Sequence, residues 1–442
     1  MRFAVKFLGC KVSQADAMLA RRALLASGHE EVADADAELH VVNTCCITRE
    51  AEAKSRQSVR RSLQTAPRVF VGGCAVNLRA EQFTEIDSAV HAFAGTAEDA
   101  ALAMARAATP HAMNPGDGVG QPTGACVDLE HDVLARERKG LRGSWAGGRT
   151  RGFVKVQDGC DCHCAYCIIP TVRGAARSRP AAAVLREVAR RVDQDQPEVV
   201  MTGISVGDYR DPERGLELGE LLVEAAQVPG VQRVRLSSVE VIHVKDTLID
   251  ALREEPRVCP HLHVPMQSGD DAVLAAMGRH YTAAEYLDAI RAVRAAVPGV
   301  NVTTDVIVGF PNESEAAFQN TLDLVAAAGI SRVHTFPYSA RPGTAAEALG
   351  DLVDPQEKKR RARAMRGLSE VRSRHHRTAK LSQTARVLVD KVAETQCSGY
   401  TDDYTRCYLP PGAARAGELF DVGMLELYAD GVRAVPAERA PA

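Results

Sequence analysis

The chain has 442 residues, too many for one hydrophobic core, and its length predicts two or three domains. Its 54 basic residues balance 57 acidic ones, so any affinity for nucleic acid must come from local patches rather than from an overall basic field. Twelve cysteines are too sparse for a disulfide scaffold, the start Met1-Arg2-Phe3-Ala4-Val5-Lys6 has no apolar targeting core, and no long uncharged apolar run is present to span a bilayer. The expectation is a cytoplasmic protein with no membrane partner, in which clustered cysteines read as metal ligands rather than bridges.

The first 110 residues read as an open parallel-sheet α/β domain. Phe3-Ala4-Val5-Lys6-Phe7-Leu8, Leu39-His40-Val41-Val42 and Val69-Phe70-Val71 are short apolar runs separated by helical patterns, as buried parallel strands are. Each run ends in a cysteine: Cys10 after Gly9, Cys45 and Cys46 after Asn43-Thr44, and Cys74 after Gly72-Gly73. Functional groups of an open parallel sheet gather at the carboxyl ends of its strands, so Cys10, Cys45 and Cys74 are expected to converge as a cluster site. The bland alternative is that each is a small buried hydrophobe, and it weakens when the same placement recurs three times. Residues 111–145 then carry Pro115, Gly116, Gly118, Gly120, Pro122 and Gly124, followed by Arg136-Glu137-Arg138-Lys139, and read as a linker.

From 146 to 378, β-like runs again alternate with amphipathic helices, the rhythm of a βα barrel. Val199-Val200-Met201, Arg233-Val234-Arg235-Leu236, His261-Leu262-His263-Val264, Val302–Val308 and Arg332–Phe336, with the strand before Cys160, make six, so a partial (βα)6 barrel is expected whose open side accepts a large substrate. Within it, Gly159-Cys160-Asp161-Cys162-His163-Cys164-Ala165-Tyr166-Cys167 spaces three thiols as CxxxCxxC. A 4Fe-4S cube needs four ligands and prefers thiolates, so three cysteines leave one iron open. An open iron can take the amino and carboxylate groups of S-adenosylmethionine and cleave it to a 5′-deoxyadenosyl radical. Cys162 and His163 could instead close the site as zinc or as a closed cluster, although closed zinc sites usually come as two separated ligand pairs.

A helix-compatible run at 356–380 holds Lys358, Lys359, Arg360, Arg361, Arg363, Arg366, Arg372, Arg374, Arg377 and Lys380. It is either a solvated face or a contact for a phosphate backbone. The segment 379–442 alternates as a small antiparallel β-barrel would, with Ala385–Val389, Tyr404–Leu409 and the punctuation Pro410-Pro411-Gly412. Tyr400, Tyr404 and Tyr408 beside Arg406 offer faces on which RNA could stack, and a purely structural cap is the alternative.

These motifs together resemble the radical S-adenosylmethionine methylthiotransferases that modify tRNA, over nearly the whole chain. The resemblance rests on the three-cysteine N-terminal domain, on Val156-Gln157-Asp158-Gly159-Cys160 through Ile168-Ile169-Pro170 and Arg173-Gly174, on Arg235-Leu236-Ser237-Ser238, on His263–Gly269, on Phe336-Pro337-Tyr338-Ser339, and on a C-terminal segment similar to a TRAM module. Gly9-Cys10-Lys11-Val12, Ala53-Lys54-Ser55-Arg56-Gln57 and Gly399-Tyr400-Thr401 resemble the branch acting on N6-threonylcarbamoyladenosine, while sister branches act on isopentenyladenosine in tRNA or on an aspartate of a ribosomal protein.

The resemblance implies a transferase with two 4Fe-4S clusters. Cys160, Cys164 and Cys167 would hold the radical cluster, and Cys10, Cys45 and Cys74 an auxiliary cluster that carries or donates sulfur. S-adenosylmethionine would serve as methyl donor and as radical source at C2 of the adenine, where an aromatic C–H offers nothing to a general base alone. It would be bound by Tyr166 and by Gly207-Asp208, with Arg235, Ser237 and Gln267 lining the same mouth. Implied partners are a tRNA anticodon stem-loop, an electron donor such as a flavodoxin or ferredoxin, and a sulfur donor the residues do not name. The chain departs from the family pattern at Ser13 for asparagine, at Cys46 beside Cys45, at Ala75-Val76-Asn77 and at Asn312 for glycine. A non-catalytic RNA-binding iron-sulfur protein is the alternative of another class.

Overall fold

The computed structural model describes residues 1–109, 150–350 and 352–439; the expected linker at 111–145 lies outside them. The described residues form two compact units, one of 1–109 with Ile168–Gly174, the other of 150–167 with the remainder from Ala175. The boundary expected near 378 therefore falls inside the second unit.

In the first unit, β1 (Arg2–Phe7), β2 (Glu30–Glu31), β3 (Leu39–Thr44), β4 (Arg68–Gly73) and β5 (Val90–Ala92) make one parallel sheet in the order β2-β1-β3-β4-β5. All six residues of β3 are buried, as a central strand covered on both faces requires. Helix Arg49–Ser62 starts where the Thr48 side chain accepts the Ala51 N–H, with Glu50 and Glu52 in its first turn and Arg60 and Arg61 in its last, each on the favourable end of the helix dipole.

In the second unit, β6 (Arg151–Lys155), β9 (Glu198–Thr202) and β10 (Arg233–Leu236) pair in parallel, as do β11 (His261–His263), β12 (Asn301–Val308) and β13 (Arg332–Pro337). Parallel bridges Val234 to Val258 and Ser238 to His263 join the two sheets, giving a six-stranded partial barrel in the order β6-β9-β10-β11-β12-β13. A short hairpin of β7 (Gln157–Asp158) and β8 (Arg177–Ser178) flanks the cysteine loop. Val154, Val199, Met201, Val234, Leu262, Val302 and Val306 face the surrounding helices in one continuous core, each fully buried branched side chain stabilising by roughly 1.5–3 kcal/mol.

The C-terminal strands β14 (Thr384–Val392), β15 (Cys397–Thr401), β16 (Arg406–Leu409), β17 (Leu419–Tyr428) and β18 (Gly431–Pro436) close a barrel in the order β14-β15-β16-β18-β17. One pair departs from the expected antiparallel barrel, because β16 and β18 run parallel. The barrel docks its 400–405 segment on the amino-terminal ends of the partial-barrel strands. Arg233 Nη1 donates to Tyr400 O at 2.9 Å, Arg235 donates to Thr401 O at 2.6 Å and Asp402 O at 2.7 Å, and Asn301 Nδ2 donates to Asp403 O at 2.7 Å.

That contact corrects two expectations. Tyr400 and Tyr404 are not stacking faces for RNA: the Arg151 guanidinium lies 4.7 Å from the Tyr400 ring, and that of Arg235 lies 4.2 Å from Tyr404. Tyr408 is largely buried, bonded to Asp430. The cationic run forms helix Pro355–Thr378, but much of its charge is internal. Arg361 pairs with Glu313 at 2.7 Å, Lys358 Nζ donates to Tyr338 O, Arg377 pairs with Glu370, and Lys380 past its end pairs with Asp403. Lys359, Arg363, Arg366 and Arg374 remain exposed.

Candidate functional site

Two sets of cysteines stand at strand ends, one in each unit. In the first unit β1, β3 and β4 are neighbours, and each is followed at its carboxyl end by cysteine: Cys10, the pair Cys45 and Cys46, and Cys74. Cys10 precedes helix Lys11–Ala26, its Sγ 3.7 Å from the Ser13 hydroxyl, and Cys74 opens helix Cys74–Leu78. Gly9 (φ +114°) sits against Cys45, where an added Cβ would lie 3.1 Å from Cys45 Sγ; only glycine allows this backbone so near the thiol. The Cys74 thiol is pushed up to about 12, chiefly by burial, with the neighbouring Cys45 and Cys10 thiols adding to it and Arg173 working against it. Cys46 is fully buried in an apolar cluster with Val42, Val59 and Val71, a cluster that Cys74 also joins.

The other departures from the family pattern have local roles. Asn43 Nδ2 donates to Ser13 O at 2.8 Å, and Asn77 bonds Gly95 and donates to Val172 O. Asn312 takes a left-handed φ of +67° where glycine would be at ease.

In the second unit the CxxxCxxC loop leaves the carboxyl end of β6 through β7. Gln157, absent from the sequence-based site, ties this loop down. Its Oε1 accepts from Ile204 N and Ser205 N after β9, and its Nε2 donates to Gly159 O at 2.7 Å. Ala165 N donates to Met277 O and Ala165 O accepts from Ala346 N, so the loop is held from two sides. Cys160 Sγ accepts from Cys162 N at 3.4 Å, and burial pushes the Cys162 thiol up to about 12 with Glu240, Cys160 and Cys164 adding to it. Among the described residues no three Cys, His, Asp or Glu are drawn together around a single ion.

Arg279 and Glu240 also escaped the sequence reading, having no motif to mark them. Arg279 Nη1 donates to Cys164 Sγ at 3.2 Å and to Glu240 Oε1 at 3.0 Å, while its Nε donates to Tyr281 OH. Tyr166 packs beside Phe310, Tyr338 and Ile307, and burial holds its phenol well above its ordinary range.

The residues expected to bind the sulfonium cofactor divide. Ser237 follows β10 and its buried Oγ has no hydrogen-bond partner among the described residues, which fits a ligand group. Gln267 has a left-handed φ of +64°, its N–H on Asp305 O and its carbonyl accepting from Ile307 N. Gly207 carries no Cβ because His243 fills that space at 2.4 Å, and Asp208 Oδ1 lies 3.3 Å from His243 Nε2. Arg235 does not line this mouth. Its guanidinium is at the opposite end of the barrel, on Glu198 and the 400–405 segment, because strand alternation turns Val234 and Leu236 to the core and Arg233 and Arg235 inward and down.

The donor sets fit two iron-sulfur clusters: two groups of three soft thiols at loop or strand ends. A model of the Radical SAM superfamily matches residues 154–325, and one described as Uncharacterized protein family UPF0004 matches residues 2–95. The chain is 32% identical to the threonylcarbamoyladenosine tRNA methylthiotransferase MtaB of Chlamydia pneumoniae, across 92% of this chain and 91% of that one. It is 33% identical to the protein of the same name from Thermotoga maritima, across 97% and 95%. It is also 33% identical to the tRNA-2-methylthio-N(6)-dimethylallyladenosine synthase of Alkalilimnicola ehrlichii, across 88% and 86%. Among solved structures, the radical S-adenosylmethionine methyltransferase TsrM of Kitasatospora setae, with cobalamin and a [4Fe-4S] cluster bound, shares the fold at TM-score 0.54 and 14% identity, across 78% of this chain and 77% of that one.

Proposed function

Because the chain belongs to the radical S-adenosylmethionine methylthiotransferases, transferases that use S-adenosylmethionine and two 4Fe-4S clusters, we propose that it inserts a methylthio group at C2 of N6-threonylcarbamoyladenosine next to the anticodon of tRNA. The observation that carries this reading is the pairing in one chain of a CxxxCxxC loop on a six-stranded partial barrel with three cysteines at adjacent strand ends of a separate sheet. Bound at such sites, an open-iron cluster with S-adenosylmethionine supplies a radical able to take hydrogen from an aromatic carbon.

On this reading Cys160, Cys164 and Cys167 hold the radical cluster, and Cys10, Cys45 and Cys74 the auxiliary one. Ser237, Gln267 and Tyr166 line the cofactor mouth, with Gly207 and Asp208 shaping it through His243. Residues 1–110 are the methylthiotransferase domain, 146–378 the radical domain and 379–442 the TRAM-like domain. Exposed Lys359, Arg363, Arg366 and Arg374 on helix Pro355–Thr378 support contact with the phosphates of the anticodon stem-loop. A flavodoxin or ferredoxin in the cytoplasm is the proposed electron source.

Mass analysis of tRNA nucleosides from a strain lacking the gene tests the assignment. The 2-methylthio form of threonylcarbamoyladenosine should vanish and return with the wild-type gene. Loss from isopentenyladenosine instead would move the chain to the sister branch that its relative from Alkalilimnicola ehrlichii represents.

A further inference from the structure

Each cysteine set has one thiol held by a buried arginine, and each arginine is held by a carboxylate. Arg279 Nη1 is shared between Cys164 Sγ at 3.2 Å and Glu240 Oε1 at 3.0 Å, with the arginine side chain 3% exposed. Its Nη2 is buried without a hydrogen-bond partner among the described residues, an orphan that a sulfur acceptor would satisfy. In the other unit Arg173 Nε donates to Cys74 Sγ at 3.1 Å and its Nη2 to Asp16 Oδ2 at 2.8 Å, both side chains nearly fully buried.

Adding an electron to a thiolate-ligated cluster adds negative charge in a site with little water to screen it. A cation and its N–H donors beside a ligand sulfur favour the reduced form, and a carboxylate beside the cation works against that. Arginine suits the task because it stays protonated when buried and its fork reaches a sulfur and a carboxylate together. A purely structural ion pair would need no contact with a ligand sulfur, yet both pairs make one.

We propose that Arg279 with Glu240, and Arg173 with Asp16, are positioning pairs that set the reduction potentials of the radical and auxiliary clusters. The arginine raises the potential and the carboxylate limits how far. The inference rests on the assignment of the two cysteine sets as cluster ligands, which iron and sulfide content of the wild-type protein tests separately.

The experiment is a redox titration, followed by electron paramagnetic resonance, of anaerobically reconstituted full-length protein in which the other cluster has been removed by Cys→Ala substitutions. Arg279→Gln should shift the radical cluster to a more negative midpoint, Glu240→Gln to a more positive one, and Arg279→Lys should fall between wild type and Arg279→Gln. Arg173→Gln and Asp16→Asn should repeat the pattern of opposite signs at the auxiliary cluster. General loosening of the site would move both members of a pair the same way, so shifts of one sign, or none, overturn the proposal. Should Arg279→Gln fail to take up iron, Glu240→Gln alone decides, and an unchanged or lowered midpoint there counts against it.

Discussion

Arg235 Nε donates to Glu198 Oε1 at 2.7 Å, and each of the two side chains is 1% exposed. Burial pushes the Glu198 carboxyl up, but Arg235, Arg151 and Arg233 together hold it below the usual carboxylate range. This group links the starts of β6, β9 and β10 to the C-terminal barrel. Removing one partner strands buried charge, so Glu198→Ala should cost roughly 3–5 kcal/mol in denaturant unfolding. Replacing both, as Glu198→Leu with Arg235→Met, should recover much of that loss, and a double variant as unstable as the single one would contradict the account.

Asp403 makes stability pH-dependent at the same junction. Burial pushes its carboxyl up, but His376 and Lys380, at 3.4 and 2.7 Å, outweigh burial and hold it well below the usual carboxylate range. A depressed carboxyl contributes its full stability above the unfolded value of about 3.9 and loses it as pH falls through the folded value. Asp403→Asn should therefore destabilise the protein at pH 7, and the gap to wild type should narrow progressively below about pH 4. Urea midpoints of both proteins from pH 3 to 7 would show it; a constant gap would argue against linkage.

Cys45 and Cys46 should separate cleanly. Gly9 sits against Cys45, and Cys45 is among the thiols that push Cys74 up. After anaerobic reconstitution Cys45→Ala should keep about half the iron and Cys46→Ala nearly all of it. The reverse result would exchange the two assignments.

The unpartnered Ser237 hydroxyl offers a test of the cofactor mouth. Ser237→Ala removes no intramolecular hydrogen bond, so its thermal midpoint should match wild type. Binding of S-adenosylmethionine to the reconstituted protein, measured by calorimetry, should weaken about 5- to 10-fold, the worth of one ordinary hydrogen bond. Unchanged affinity would remove Ser237 from the mouth.

Gly207 is the matching steric test. A Cβ there would meet His243 at 2.4 Å, so Gly207→Ala should cost about 1–3 kcal/mol. The atom met at 2.4 Å is the His243 Cβ, so adding His243→Gly, which removes it, should restore part of the loss, and full additivity of the two losses would mean the clash is relieved elsewhere.

The sequence alone determined the strands and where the candidate ligands stand. Period-two and apolar runs marked the strands, and the spacing of Cys160, Cys164 and Cys167, with a cysteine at the end of each of three early strands, marked the two sets of thiols proposed as ligands, because thiolate ligation favours local spacing and strand ends, both of which are written in the chain. What tertiary structure decided was the partner of each long, charged or aromatic side chain. Strand alternation announces that Arg233 and Arg235 share a face, but only the docking of the 400–405 segment makes that face a junction rather than a cofactor mouth. Lys358, Arg361 and Arg377 read as free cations until the Tyr338 carbonyl, Glu313 and the Ala429 carbonyl arrive from other elements to claim them. Arg173 on Cys74 and Arg279 on Cys164 are contacts across 99 and 115 residues of chain, and a flexible guanidinium carries no periodic signal that would foretell where such a contact ends.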